Sequence, residues 1–135
     1  MDEILDHPEA VRLLNPEEPV AALYLTFMHF VPDHAQPQVM INRLMERLAP
    51  GSYLSISQVV SDDAEVRQRM TDFALNNTRG SFGRFRRKAE VRAFFDGLDV
   101  VEPGLVDVND WYPDGREEQQ STIWIEFGGL ARKRA

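Results

Sequence analysis

Residues 20–57 read VAALYLTFMHFVPDHAQPQVMINRLMERLAPGSYLSIS, and this stretch decides the fold. An apolar run is followed by a polar break that contains His29 and Asp33, then by an amphipathic segment, a Pro-Gly stop and a second apolar run. This order predicts a strand, a crossover helix and a second, parallel strand. Open α/β sheets place ligands at the carboxyl ends of such strands, so the break is the predicted site.

The first apolar run, residues 20–28, is almost unbroken, which is typical of an interior parallel strand covered on both faces. The helix is predicted over residues 36–48, since its apolar side chains recur at helical spacing. The second strand is predicted over residues 53–60, which are rich in β-branched and aromatic side chains.

Further elements are predicted on both sides of this unit. Asp62 as N-cap with Glu65 three residues later has the pattern of a capping box. The helix that follows carries an apolar stripe, predicted to be buried, of Val66, Met70, Phe73 and Ala74. The other predictions are helices at residues 6–14 and 85–95, a loop at 76–83, strands at 98–101 and 105–108, and a closing antiparallel strand at 122–127.

Composition narrows the class of protein. A length of 135 residues fits a single domain, residues 1–135, and the absence of cysteine excludes disulfides and thiol nucleophiles. The net charge of −7 argues against nucleic-acid binding, and no apolar run approaches the roughly 18 residues of a membrane span. The acidic N-terminus has no signal-peptide pattern, so we expect a cytoplasmic location. The three histidines lack metal-ligand spacing, and no metal is assigned.

Basic residues gather at positions 79–92, where six of the positions are arginine or lysine. Two interpretations stand: a solvated start of a helix, or a surface for an anionic substrate or partner.

Four stretches carry a resemblance to a known family: HFVPD at residues 29–33, APGSYL at 49–54, RRKAEVRAFFDGL at 86–98 and VEPGLV at 101–106. They resemble class I S-adenosylmethionine-dependent methyltransferases, and in particular a bacterial S-adenosyl methyltransferase family of mostly unknown substrate. The resemblance runs from about residue 6 to residue 133. It implies a partial Rossmann-like α/β sheet, in which this chain supplies strands 4, 5, 7 and 6 of the parent order 3-2-1-4-5-7-6, with flanking helices.

The resemblance implies S-adenosyl-L-methionine as cofactor and a small-molecule acceptor. In the family, a glycine-rich loop after the first strand holds the cofactor, because only glycine lets the backbone approach it closely. None of the eight glycines here follows a first strand and opens a helix. We therefore expect this C-terminal half to be incomplete alone. A non-catalytic oligomerising remnant is the alternative, and a hydrolase or reductase lacks any motif.

His29 is the candidate general base, because residues 28–33 resemble the Leu-His-Asp-Trp-Ser-Asp stretch of small-molecule O-methyltransferases. An imidazole takes a proton at neutral pH, although a histidine that only shapes the pocket is the alternative. Phe30 and Asp33 join it as candidate cofactor-pocket residues, with helix capping as the alternative for Asp33. Candidate substrate contacts, with packing of loops as their alternative, are Phe82, Phe85, Trp111 and Tyr112.

The implied strand order also predicts a partner. The strand from Val20 to Leu25 is central in the parent sheet, so in this chain alone it becomes an apolar edge. Exposed edges of this kind recruit another chain. We expect either a homodimer through this edge or a complementary N-terminal half bound to it.

Overall fold

The computed structural model describes residues 2–15, 17–111 and 123–134. The helices are α1 (Asp2–Leu5), α2 (Pro8–Leu13), α3 (Pro37–Arg47), α4 (Ala64–Asn77) and α5 (Lys88–Ala93). The strands are β1 (Ala21–Leu25), β2 (Tyr53–Val60), β3 (Asp99–Val100), β4 (Val106–Asp107) and β5 (Ile125–Arg132). Short 3₁₀ turns lie at Met28–Phe30, Asp33–Ala35 and Val108–Asp110.

The sheet has the order β1-β2-β5-β3, and β4 also pairs with β5. β1 and β2 are parallel, with Ala21 opposite Tyr53, whereas β5 runs antiparallel to β2, β3 and β4. The sheet is therefore mixed, mostly antiparallel and open. This arrangement confirms the predicted strand–helix–strand unit and the implied order 4-5-7-6, with β5 as the closing antiparallel strand.

The core lies against one face of the sheet. Alternate residues of β2 are fully buried on this face, because period-two side chains of a strand point to opposite sides. Helix α3 and the segment around α5 cover them. The buried apolar cluster comprises Met28, Val31, Ile41, Met45, Leu54, Ile56, Val60, Val91, Phe94, Phe95, Phe127 and Ala131.

β1 is shorter and more open than the sequence predicted. It ends at Leu25, because Thr26 adopts a left-handed φ of 53° and the chain turns into a 3₁₀ turn. Leu23 and Leu25 are 63% and 55% exposed, so the expectation of a strand covered on both faces is wrong. Within the described ranges β1 pairs with β2 alone, so its other edge is open.

The helices after β2 also begin later than predicted. The N-cap of α4 is Asp63, not Asp62: its carboxylate accepts from the N–H groups of Glu65 and Val66 over 2.8 and 3.0 Å. Asp62 accepts instead from the backbone N–H of Lys88 over 3.1 Å. Helix α5 starts at Lys88 rather than at residue 85, because Arg86 continues alongside β2 in a parallel bridge to Val60.

Other predicted boundaries hold to within a few residues. Strands predicted at 98–101 and 105–108 are the shorter β3 and β4, and the helix predicted at 6–14 is α2. β5 extends to Arg132, beyond the predicted end at residue 127. Thr122 and Tyr112 lie outside the described residues.

Candidate functional site

His29 lies in the 3₁₀ turn that follows β1, at the carboxyl end of the parallel strand pair. Its side chain is 8% exposed, and its Nδ1 atom is buried with no hydrogen-bond partner among the described residues. A buried polar atom without a partner costs free energy, and in native proteins this calls for an explanation. One explanation is that Nδ1 acts on a ligand.

Three phenylalanine rings surround the imidazole. The ring centroids of Phe82, Phe85 and Phe30 lie 5.4, 5.4 and 5.2 Å from that of His29, and Phe82 is stacked on the imidazole with an interplanar angle of 26°. Phe82 also contacts both other rings, with centroids at 5.1 and 5.2 Å. These four residues form the His29 cluster. The structure thus brings together four of the seven predicted site residues, drawn from two distant loops.

Gly83 fixes the distance between these two loops. Its N–H donates to the carbonyl oxygen of His29 over 2.9 Å. A Cβ atom at position 83 would lie 2.7 Å from the carbonyl oxygen of Val31 and 2.8 Å from that of His29, closer than real Cβ contacts. Only glycine allows this approach, so residue 83 is required for the cluster to form.

The buried side chain of Arg86 binds the backbone of the turn that contains His29. Its side chain is 2% exposed, and its guanidinium donates to the carbonyl oxygens of Met28 and Val31 over 2.7 and 2.9 Å. A third bond, of 3.1 Å, reaches the carboxylate of Asp33. The guanidinium also lies over the ring of Phe94, 5.6 Å from its centroid. The interpretation of a solvated basic segment is therefore wrong for Arg86.

Asp33 takes part in an ion-pair network rather than in a helix cap. Arg84 Nε lies 2.6 Å from Asp33, and Arg84 Nη2 lies 2.6 Å from Glu90. The N-cap of α3 is Gln36, which makes no side-chain capping bond, so the capping interpretation of Asp33 is wrong. Asp33 faces two arginines because the loop after α4 folds back onto the turn after β1.

The network lowers the pKa values of both of its carboxylates. A hydrogen bond from Arg84 lowers the pKa of Glu90 to about 2. Burial raises the pKa of Asp33, but the bonds and charges of Arg84 and Arg86 outweigh it, so the net shift is downward. Both carboxylates are therefore ionised at neutral pH, and the loop is held by charge-assisted hydrogen bonds.

Burial, followed by the positive charge of Arg86, lowers the pKa of His29 below its ordinary value. The imidazole is therefore neutral at pH 7. A neutral imidazole has a free lone pair and accepts a proton from an acidic partner. The imidazole of His29 can thus accept a proton in an environment formed mostly by aromatic rings.

Trp111 lies apart in sequence and packs against β5. A Cβ atom on Gly129 would come within 3.4 Å of the Trp111 ring, which places this ring over the strand. This position agrees with the packing interpretation of Trp111, and its contact with a substrate stays a prediction. Tyr112 lies outside the described residues.

Sequence reasoning missed Gly83, Arg84 and Arg86 as structural determinants of the site. One signal was available: Phe82, Arg84 and Arg86 alternate with Gly83 and Phe85 at a period of two, which is typical of an extended segment rather than a helix. The helical prediction from residue 85 concealed this alternation.

The described residues do not by themselves form a cradle for a nucleoside cofactor. Gly83 is used to pack against the backbone of His29 and Val31. The acids after β2 are also engaged, because Asp62 binds the backbone of Lys88 and Asp63 caps α4. The cluster therefore provides one aromatic wall with an unpartnered nitrogen, and nothing among these residues anchors an amino-acid or ribose group.

In this sheet β1 and β2 are parallel, and antiparallel β5 lies between β2 and β3. The second half of a Rossmann-like methyltransferase sheet has the same strand arrangement. The fold therefore defines the class of protein as a Rossmann-like methyltransferase. The chain belongs to the S-adenosyl methyltransferase family, whose model matches residues 1–134, and S-adenosylmethionine is the cofactor that this family implies.

Solved structures agree with this assignment. A DUF574 family protein from Streptomyces avermitilis is 34% identical with a TM-score of 0.80, and the match covers 97% of this chain and 50% of that one. A proposed methyltransferase from Thermobifida fusca is 25% identical with a TM-score of 0.82, covering 99% and 50%. A SAM-dependent methyltransferase from Methanosarcina mazei, 13% identical with a TM-score of 0.55, shares the fold over 89% of this chain and 61% of its own.

The chain thus spans about half the length of the first two of these relatives. No curated protein matches it significantly. Among the described residues, no helix is both long and apolar enough to cross a membrane.

Proposed function

We propose that this chain is the acceptor-side half of an S-adenosylmethionine-dependent methyltransferase that acts on a small molecule, with His29 as general base. The observation that carries the proposal is the His29 cluster, which holds a neutral imidazole at the carboxyl end of β1. Open α/β sheets bind their ligands at this edge. S-adenosylmethionine supplies the methyl group.

The step assigned to this chain is removal of a proton from the acceptor. A nitrogen of His29 takes the proton of an acceptor hydroxyl, and the electron pair of the O–H bond stays on oxygen, which becomes the nucleophile. The surrounding rings exclude water from the imidazole and fix its orientation. The alternative, in which His29 only shapes the pocket, predicts no change in proton transfer when His29 is replaced.

We further propose that a complementary segment binds the open edge of β1 and supplies the cofactor loop. Apolar side chains on and around this edge are exposed, which is unfavourable unless a partner covers them. They are Leu23 and Leu25 of β1 and Phe27 and Phe30 of the segment that follows it. The half-length match to the relatives is consistent with a partner of similar size.

A complementation experiment tests the proposal. The half of the Streptomyces avermitilis relative that this chain does not match is purified and mixed with this chain. Calorimetric titration with S-adenosylhomocysteine is then run on each half alone and on the mixture. We expect binding heat in the mixture only. Association of the halves without any binding heat would contradict the proposal.

The role of His29 is tested in the same mixture with radiolabelled S-adenosylmethionine and a panel of hydroxyl-bearing aromatic compounds. His29→Gln should lower methyl incorporation by roughly 10²- to 10⁴-fold, the usual contribution of a general base, and leave the affinity for S-adenosylhomocysteine unchanged. An equal fall in affinity would assign His29 to cofactor binding instead.

The open edge of β1 also favours a second candidate, a non-catalytic module that dimerises through this edge. In that case the chain should sediment as a dimer, and S-adenosylhomocysteine should give no heat with or without the added half. A clean monomer over a wide concentration range excludes it.

A further inference from the structure

The imidazole of His29 is covered in this structure. Its side chain is 8% exposed and its Nδ1 atom is buried. A general base must come within about 3 Å of the proton that it removes. An acceptor therefore reaches this nitrogen only after part of the cover moves, and one part of the cover is residues 79–84, the segment that follows α4.

Phe82 is the residue of this segment that covers the imidazole. Its ring is stacked on that of His29, with centroids 5.4 Å apart and an interplanar angle of 26°. Phe82 is itself only partly buried, so its ring forms the outer layer and the imidazole the inner one. Movement of this one ring therefore opens one face of the imidazole.

The segment begins where the backbone turns sharply. Arg79 and Gly80 both have left-handed φ values, of 53° and 80°. This conformation is unfavourable for a residue other than glycine, so the backbone of Arg79 is strained. A Cβ atom on Gly80 would meet none of the described residues within 4 Å. Strain beside open space makes residues 79–80 a suitable hinge.

The chain is fixed at the other end of the segment. The backbone N–H of Phe85 donates to the hydroxyl of Thr71 over 3.2 Å. The carbonyl oxygen of Arg86 accepts from the N–H of Ser61 over 3.2 Å, and its side chain is buried. Phe85 and Arg86 are thus tied to α4 and to the end of β2, so the part that can move ends before Phe85.

Helix α4, which leads into the segment, is packed loosely. The sequence predicts that its apolar stripe, Val66, Met70, Phe73 and Ala74, is buried. Phe73 is instead 72% exposed, and Thr71 is the buried residue of this helix, so the prediction of a buried stripe is wrong. Segments with few buried apolar contacts open at low free energy, so packing at the end of α4 opposes the motion weakly.

Three contacts hold the segment against the turn after β1. They are the stacked ring of Phe82, a 2.9 Å hydrogen bond from the N–H of Gly83 to the carbonyl oxygen of His29, and the 2.6 Å ion pair of Arg84 with Asp33. The side chains of Arg84 and Asp33 are 34% and 58% exposed, so water can replace this ion pair at little cost. All three contacts can break while the buried core stays packed.

We propose that residues 79–84 form a gate, in which Phe82 occludes His29 in the closed form and a hinge at residues 79–80 opens the site to the acceptor. Opening breaks the Phe82–His29 stack, the hydrogen bond from Gly83 and the Arg84–Asp33 pair. The role of the gate in acceptor entry rests on the proposed function, whereas the opening itself does not.

Opening is measured on the full chain without cofactor, by the reaction of histidine with diethyl pyrocarbonate. Tandem mass spectrometry follows each histidine separately, and the exposed His34 is the internal reference. We expect His29 to react roughly tenfold more slowly than His34, because the reagent reaches it only in the open form. Phe82→Ala should raise the rate at His29 by about tenfold, since the stacked ring is lost, and leave His34 unchanged.

Arg84→Gln removes the ion pair with Asp33 and should raise the rate at His29 by about two- to fivefold, the usual contribution of an exposed pair. In wild type, about 0.5 M NaCl should raise this rate as well, because salt screens exposed charges, and Arg84→Gln should have lost the salt dependence. Arg87→Gln is the matched control. Arg87 is exposed and lies 3.8 Å from Glu90, so its replacement should change nothing.

Urea separates opening of the gate from global unfolding. Below the unfolding transition, the rate at His29 should stay nearly constant with urea, since a local opening exposes little new surface. A rate that rises with the urea slope of global unfolding would show that His29 reacts only in the unfolded chain, and overturns the gate. A Phe82→Ala rate equal to that of wild type overturns it too.

These outcomes are separate from those of the proposed function. If Phe82→Ala exposes His29 but the complemented mixture transfers no methyl group, the gate stands and its role in acceptor entry is lost. If the mixture is active, Phe82→Ala should lower the KM for the acceptor, because the ring no longer competes for the imidazole. A raised KM with unchanged reactivity of His29 would make Phe82 a substrate contact and overturn the gate.

Discussion

Arg86 donates a 2.7 Å hydrogen bond from its Nη1 atom to the backbone carbonyl oxygen of Met28, a residue 58 positions earlier in the chain. A second bond reaches the carbonyl of Val31, so the two carbonyls that flank His29 and Phe30 are held by one buried side chain. The turn has backbone bonds of its own, from Phe30 to Phe27 and from Val31 to Met28, and the guanidinium adds to them bonds that tie the turn to the other loop. The position of the imidazole thus depends on a residue from another loop.

Arg86→Met should destabilise the protein by about 3 kcal/mol, because it removes the donor from two backbone carbonyls and a partner from Asp33. The free energy of unfolding is measured with urea. Arg87→Met is the matched control: that side chain is exposed, and its replacement should cost less than about 0.5 kcal/mol. Equal effects of the two changes would contradict the role assigned to Arg86.

Gly83→Ala should cost about 1–3 kcal/mol, since its Cβ would overlap the carbonyl oxygens of His29 and Val31. The two loops must separate, so the NMR signals of the His29 imidazole should shift as well. Gly80→Ala is the control. Position 80 has open space but a φ of 80°, so the change should cost about 1 kcal/mol through backbone strain and leave His29 signals in place.

The unit β1–α3–β2 could be predicted from the sequence because its information is local. The β-branched and aromatic residues of β2 and the helical spacing in α3 each appear within a few residues, and the Pro-Gly stop separates them. Only the resemblance to a known family supplied the order of strands across the sheet, since pairing of β2 with β5 joins segments far apart in sequence.

The site was predicted in part. His29, Phe30, Phe82 and Phe85 were named, but their meeting depends on ion pairs such as Asp33–Arg84, whose partners are 51 positions apart. Likewise, an apolar stripe indicates which face of α4 is apolar but not whether another element covers it. The spacing of apolar residues shows which side chains favour burial. Whether they are buried depends on the tertiary structure.

The lowered pKa of His29 gives a pH dependence of stability with a defined sign. The unfolded chain binds the proton more readily, with a pKa near 6.5, the ordinary value of histidine, so stability rises with pH between the folded and unfolded pKa values. This contribution is complete above about pH 6.5 and is lost as the pH falls below it. Urea unfolding at pH 7.5 and 5.5 should therefore show a larger loss in wild type than in His29→Gln.

The comparison with His29→Gln cancels the contributions of the other titrating groups to the pH dependence of stability, because both proteins contain these groups. Burial raises the pKa of Glu126, which works in the opposite direction at mildly acidic pH, and both proteins share it. Glu90, with a pKa of about 2, contributes stability that is lost only below the pH range of the experiment. An identical pH dependence of the two proteins would show that His29 is not buried in its neutral form.

The direction in which each N–H group of β1 points predicts how proline substitutions in this strand affect association and folding. Thr26 donates its N–H to Ser57 on β2, and donors in a parallel strand alternate, so the N–H of Tyr24 points toward β2 and that of Leu23 points outward. Leu23→Pro therefore removes a donor from the open edge without breaking the β1–β2 ladder. It should abolish association through this edge, with either a second copy or a complementary half, and retain the fold.

Tyr24→Pro, by contrast, should break the ladder and lower the unfolding midpoint strongly. Sedimentation velocity and circular dichroism measure both effects, and continued association of a folded Leu23→Pro variant would show that partners bind elsewhere.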